Sequence, residues 1–222
     1  MDGSRSARAL IFDMDGLLVD SEGLAAVAMD HLLEEYQLER DPAIHSKLLG
    51  RRIVEALAIV REGYGMQEDV DVLIARYSVL RSKQLEAVTP MPFAREIIER
   101  ARLAGLPIGL ATSGARVHVD ISLGRTGLAG LFDSETTGDE VTRGKPAPDL
   151  FLMAADRLGV DPADAVVLED SPLGVEAARA AGARVIAVLG HPEREAVFPV
   201  APDVIVDDLD QAAEWLGLPR LR

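Results

Sequence analysis

The chain has 222 residues, with 37 Asp plus Glu against 23 Lys plus Arg, a net charge of −14, 48% hydrophobic residues and no cysteine. This balance of apolar and charged residues excludes a disordered or fibrous chain, and the length allows one large domain or one domain carrying a smaller insertion. The acidity argues against a surface that follows a nucleic-acid backbone, and the lack of cysteine excludes disulfides and thiolate metal sites, leaving any metal to oxygen or imidazole ligands.

The first continuous apolar run, Ala9 to Phe12, ends on Asp13 and predicts a strand buried on both faces. From about Val19 to Val88 no convincing strand is predicted. That stretch reads as several helices, one carrying Leu24, Val27, Ala28, His31 and Leu32 at helical spacing, and is expected to be an inserted helical domain. Thr89, Pro90, Met91 and Pro92 mark the return of the chain to the main fold. A helix is predicted from Phe93 to Ala104, with Gly105 as its stop, followed by a strand from Pro107 to Ala111 that ends on Thr112. Another strand is expected around Leu131 and Phe132. The loop Gly144-Lys145-Pro146-Ala147-Pro148-Asp149, stiffened by two prolines, leads into a helix bearing Leu150, Phe151 and Ala154. A strand from Ala165 to Leu168 ends on Glu169 and Asp170; a helix from Leu173 to Ala181 stops at Gly182. Strands from Arg184 to Leu189 and from Val204 to Val206 complete the pattern.

Strands alternating with single helices imply an α/β fold, a doubly wound parallel sheet whose strand ends emerge along one edge. Residues 1–18 and 89–222 are expected to form this core and 19–88 the helical insertion. Asp13, Thr112 and Asp170, far apart in sequence, should then converge on one crevice. No positively charged start leads into a long apolar stretch, so neither a signal peptide nor a membrane span is expected, and a cytoplasmic location is the simple expectation.

Asp13 and Asp15 place two carboxylates at a strand end, with Gly16 allowing a sharp exit. Without a cation they would repel each other; the plain alternative is a pair of solvated acids in a turn. Glu169 and Asp170 add oxygen ligands suited to magnesium, although Asp170 could instead cap the helix that follows. Thr112, Ser113 and Gly114 offer hydroxyls and backbone amides at a helix start, where phosphate oxygens bind, or an ordinary helix cap. Lys145 sits in a loop stiff enough to hold it, although a lysine taken by itself reads as a solvated surface residue. A carboxylate nucleophile, a hydroxyl with amides, a lysine and metal-binding acids are together the parts needed for phosphoryl transfer through an acyl phosphate.

In this order, these residues resemble the four sequence motifs of the haloacid dehalogenase superfamily, and the resemblance covers almost the whole chain. It implies a Rossmann-like core, with Asp13 as nucleophile and Asp15 as the acid that protonates the leaving oxygen and then activates water. Thr112, with Ser113 and Gly114, would bind the transferring phosphoryl group and Lys145 would neutralise its charge. Asp170 and Glu169, the Asp13 carboxylate and the Asp15 backbone carbonyl would hold Mg2+. The insertion resembles the helical cap of capped phosphatases and of the beta-phosphoglucomutase-like subfamily, where closure excludes water and sets substrate choice.

Dehalogenases resemble this pattern in the nucleophile but lack the acid that is Asp15 here. Sugar-phosphate mutases are the nearer alternative, yet their cap-hinge histidine falls at Ala25, while Asp20-Ser21-Glu22 is similar to phosphatases of sugar phosphates and phosphoglycolate. A phospho-receiver switch would need neither the insertion nor Asp15. The expectation is a small phosphate monoester as partner, no nucleic acid or membrane, and a monomer or weak dimer. Arg51, Arg52, Lys83, Glu22 and His191 are weaker candidates for substrate contact, and Tyr64 or Tyr77 for stacking on a base.

Overall fold

The structure is a computed structural model and describes residues 7–48, 50–190 and 197–221. In chain order it contains β1 (Ala9–Phe12), β2 (Val19–Asp20), α1 (Glu22–Glu35), α2 (Pro42–His45), α3 (Ile53–Gly63), α4 (Val70–Gln84) and β3 (Thr89–Pro90). Then follow α5 (Ala94–Leu103), β4 (Ile108–Ala111), α6 (Arg116–Thr126), β5 (Ser134–Thr136), α7 (Asp149–Leu158), β6 (Ala165–Glu169), α8 (Pro172–Ala180), β7 (Arg184–Val188), β8 (Val204–Val206) and α9 (Leu209–Trp215). Six strands form one sheet in the order β5-β4-β1-β6-β7-β8, every pairing parallel.

Why these runs become central strands is visible in where their side chains go. Successive residues of a strand point to opposite faces. Leu10 and Phe12, Ile108 and Leu110, Val166 and Leu168, and Ile186 and Val188 enter one apolar cluster with Ile97, Ile98 and Ala101 of α5, Val119 and Leu123 of α6 and Ala212 and Ala213 of α9. Ile11, Ala111, Val167, Val185 and Ala187 enter a second cluster, with Phe151 and Ala154 of α7 and Val175 and Ala178 of α8. Helices cover both faces, the doubly wound arrangement expected from the sequence.

The strand expected around Leu131 and Phe132 lies instead at Ser134–Thr136. Leu131 and Phe132 pack against the first cluster from the preceding loop, and the strand itself is polar because it closes the sheet at one edge. The stretch 22–87 is helical and has an apolar core of its own, including Leu32, Leu57, Val60, Leu73 and Tyr77. It opens on β2, which pairs antiparallel with β3 at the point where the chain returns. The Met91 amide also donates to the Leu18 carbonyl at 2.9 Å, so exit and return lie side by side. Among the described residues no helix is long and apolar enough to cross a membrane.

Candidate active site

β1 lies between β4 and β6, so its carboxyl end faces the middle of the sheet edge. There the Asp13 amide donates to the Leu168 carbonyl at 3.0 Å, which fixes the residue as the strand stops. The Met14 carbonyl then accepts the Leu17, Leu18 and Val19 amides, a tight turn that uses Gly16 at φ +80°. Glycine is required there twice over, because a Cβ would also stand 2.4 Å from Asp170 Oδ2.

Lys145 reaches this point from the loop before α7. Its ammonium is 2% exposed, donates to Asp13 Oδ1 at 2.6 Å and to Glu169 Oε1, and lies 5.3 Å from the centre of the Phe151 ring. Burial alone would lower the Lys145 pKa, but the Asp13 and Glu169 carboxylates more than offset it and the ammonium is held charged. Burial pushes the Asp13 carboxyl well above the ordinary carboxylate range, against the pull of Lys145, and Glu169 and Asp170 push in the same direction as burial. Glu169 is fully buried; its Oε2 accepts from the Ser171 amide at 2.8 Å and the Ser171 hydroxyl at 3.0 Å. Ser171 Oγ in turn accepts the Gly174 amide, capping α8. The capping role the sequence allowed for Asp170 therefore belongs to Ser171.

Asp13, Glu169 and Asp170, all buried, each offer an oxygen within 4.8 Å of the others. Three carboxylates outnumber one ammonium here, and Glu169 and Asp170 add to the upward push that burial gives Asp13. A hard divalent cation taking oxygen ligands would balance it, so the donor set fits Mg2+.

Asp15 faces the same crevice, with its side chain 37% exposed. Oδ1 accepts from the Ser21 hydroxyl and from Arg81 Nη2 at 3.4 Å, and Oδ2 accepts from Thr112 Oγ1 at 3.4 Å. Ser21 precedes α1 as its N-cap but makes no side-chain cap, because its hydroxyl is committed to Asp15. Thr112 is fully buried and tied to β5 through its amide and the Thr136 carbonyl. It is not a helix cap: α6 begins at Arg116 with Ala115 as N-cap. The Gly114 amide donates to Thr112 Oγ1 at 3.0 Å, and the Ser113 hydroxyl donates to the Gly50 carbonyl of the helical insertion at 3.0 Å. The structure thus brings Asp13, Asp15, Thr112, Lys145, Glu169 and Asp170 to one crevice, and turns Ser113 toward the insertion.

Sequence reasoning gave no role to Ser171 or Arg81, and quoted Ser21 only as part of Asp20-Ser21-Glu22, without its contact to Asp15. Arg81 is buried and has no spacing signal in α4, where neither its neighbours nor its period sets it apart. Of the weaker candidates, Arg52 donates to Glu55 and to the Val141 carbonyl, and lies against Gly144, where a Cβ would meet its Nε at 2.6 Å. Arg51 donates to the Lys47 carbonyl, and Lys83 is exposed beside His31 and Glu34 on the surface of the insertion. Tyr77 is enclosed in the core of the insertion, and Tyr64 is half-buried against that core while its hydroxyl accepts the Asp41 amide. His191 and the side chain of Glu22 lie outside the described residues.

The family model of haloacid dehalogenase-like hydrolases matches residues 10–188. The chain is 34% identical over 211 residues to a bifunctional riboflavin kinase/FMN phosphatase of Arabidopsis thaliana, covering 95% of this chain and 56% of that protein. It is also 34% identical over 226 residues to (DL)-glycerol-3-phosphatase 2 of the same plant, covering 98% of this chain and 94% of the relative. Among solved structures, CbbY from Rhodobacter sphaeroides in complex with phosphate superposes with a TM-score of 0.80 at 25% identity, covering 91% of this chain and 95% of that one. With the parallel sheet, the buried Asp13–Lys145 pair and this match over most of its length, the chain is an enzyme of the haloacid dehalogenase-like hydrolase family.

Proposed function

We propose that the chain hydrolyses a small phosphate monoester, of sugar phosphate, polyol phosphate or phosphoglycolate type, with Mg2+ bound at Asp13, Asp170 and the Asp15 backbone carbonyl, and with Glu169 as a further acid of the site. The observation that carries the reading is the placing of Asp13 against Lys145 at the end of β1, with Asp15 two residues on and already hydrogen-bonded to Thr112. FMN and glycerol 3-phosphate, named for the curated relatives, are both phosphate monoesters.

In this reading an Asp13 carboxylate oxygen attacks phosphorus in line with the ester oxygen, whose bond to phosphorus breaks as Asp15 delivers a proton to it. Water then attacks the phosphoryl group on Asp13, Asp15 takes up its proton, and phosphate leaves. Thr112 and Lys145 hold the non-bridging oxygens throughout. Bound magnesium supplies the positive charge that lets an anionic ester approach three carboxylates. Residues 19–88 act as a cap: Arg52 to Val141, and Ser113 to Gly50, join the helical segment to the loops around Asp13, which is itself 4% exposed, so substrate entry requires these contacts to part.

The test is phosphate release from sugar phosphates, glycerol 3-phosphate, phosphoglycolate and nucleotides, with magnesium and with a chelator. Magnesium-dependent release that falls to background in Asp13→Asn is expected, because an amide cannot form the acyl phosphate. Undiminished release by the variant would overturn the covalent mechanism; isomerised sugar phosphate without release would make the enzyme a mutase.

A further inference from the structure

Arg81 is an arginine that the chemistry above does not use, yet it is 6% exposed and touches the reaction centre. It stands in the last turn of α4, and its guanidinium divides between two acceptors: Nη1 donates to the Ser21 carbonyl at 3.2 Å and Nη2 to Asp15 Oδ1 at 3.4 Å. The same Oδ1 accepts the Ser21 hydroxyl. One oxygen of Asp15 is therefore held from two sides, which leaves Oδ2 turned toward Thr112.

A contribution to stability alone does not explain this arrangement. Burying a guanidinium is costly, its partner carboxylate is 37% exposed, and an apolar side chain in the same place would pack at least as well. What an arginine adds is geometry. Its planar fork fixes the Ser21 backbone and the Asp15 carboxylate relative to each other, and so ties the last turn of α4 and the start of α1 to the group that must reach the leaving oxygen. Without Arg81 the carboxylate would keep only two hydroxyl donors, Ser21 on Oδ1 and the 3.4 Å contact of Thr112 on Oδ2, both free to rotate about their C–O bonds.

On the reading that Asp15 is the general acid and base, we propose that Arg81 is a positioning residue. It does not meet substrate; it holds Asp15 in the orientation that serves the ester oxygen, and it does so only while α4 is seated on the core. The inserted helices thereby gain a direct hold on proton transfer.

Leaving groups separate this role from a general loosening of the fold. An alkyl phosphate needs a proton on its departing oxygen, whereas p-nitrophenyl phosphate releases a phenolate that is stable without one. For Arg81→Met, kcat/KM toward the fastest-released alkyl phosphate of the panel above is expected to fall about tenfold to a hundredfold, mostly in kcat. Toward p-nitrophenyl phosphate it should change by less than about threefold, because that first step does not depend on the acid. Arg81→Lys, which keeps the charge but loses the fork, should lie between wild type and Arg81→Met, and it decides the matter if Arg81→Met does not fold. In an Asp15→Asn background, Arg81→Met should lower the alkyl rate by less than about twofold. Equal losses on both esters, or the same loss with and without Asp15, would make Arg81 a structural residue and overturn the proposal. Asp15→Asn alone must show the leaving-group pattern; if it does not, the assignment of Asp15 fails, whatever Arg81 does.

Discussion

Asp13, Glu169 and Asp170 are held together against their own repulsion, with only Lys145 between two of them, so a cation should change stability as well as activity. With free magnesium at about a hundred times its Kd, linkage adds about 2.7 kcal/mol to the folded state. Thermal unfolding with magnesium and with chelator should show this as a higher melting temperature. Asp170→Asn should lose most of the difference, since the amide keeps the shape but not the charge; a full magnesium response in that variant would remove Asp170 from the ligand set. These residues were readable in the sequence because each ends an apolar run, and because parallel strands bring their ends together. Ser21 and Arg81 were not. Ser21 looks like an ordinary helix cap until its hydroxyl is seen on Asp15, and Arg81 is one of several basic residues in α4, buried only by what α4 packs against.

Helix starts carry the second layer of control. Gly174 in the first turn of α8 faces Glu169 so closely that a Cβ would fall 1.7 Å from Oε1. Gly174→Ala must therefore displace Glu169 and with it the Lys145 contact, and is expected to cost about 3 kcal/mol or more as well as most of the activity. Gly124 in α6 is the internal comparison: it is exposed, and no atom lies within 4 Å of its Cβ position. Gly124→Ala should stabilise by roughly 0.5–1 kcal/mol and leave turnover alone. Urea unfolding and phosphate release on the two variants check the contrast, and equal effects would refute it. The central strands were legible because burial on both faces demands unbroken apolar runs, and β1, β4, β6 and β7 lie within a residue of where those runs stand. β5 was displaced by a few residues because an edge strand has no such demand, so Ser134-Glu135-Thr136 carries no apolar signal. β2 is only two residues long and is set by pairing with β3, which no local pattern announces.

At the scale of the molecule, a net charge of −14 opposes the approach of an anionic ester, and among the described residues the buried cations that touch the crevice carboxylates are Lys145 and Arg81. Screening should therefore help. At fixed free magnesium, kcat/KM is expected to rise by roughly twofold as sodium chloride increases to about 0.2 M, the reverse of an electrostatically steered enzyme. Steady-state rates across that series test it, and a steep fall would mean that local cations dominate the field. The pairing of Val19–Asp20 with Thr89–Pro90 has its own consequence for the whole chain. Two neighbouring strands lie about 5 Å apart, so the sheet presents the intervening helices with two attachment points separated by no more than one strand spacing. Any independently folding segment whose ends meet at that distance could be spliced in without moving a strand of the sheet. On the roles proposed above, a replacement segment would leave Asp13 and Lys145 where they stand but would have to bring its own donor to Asp15, as Arg81 does here.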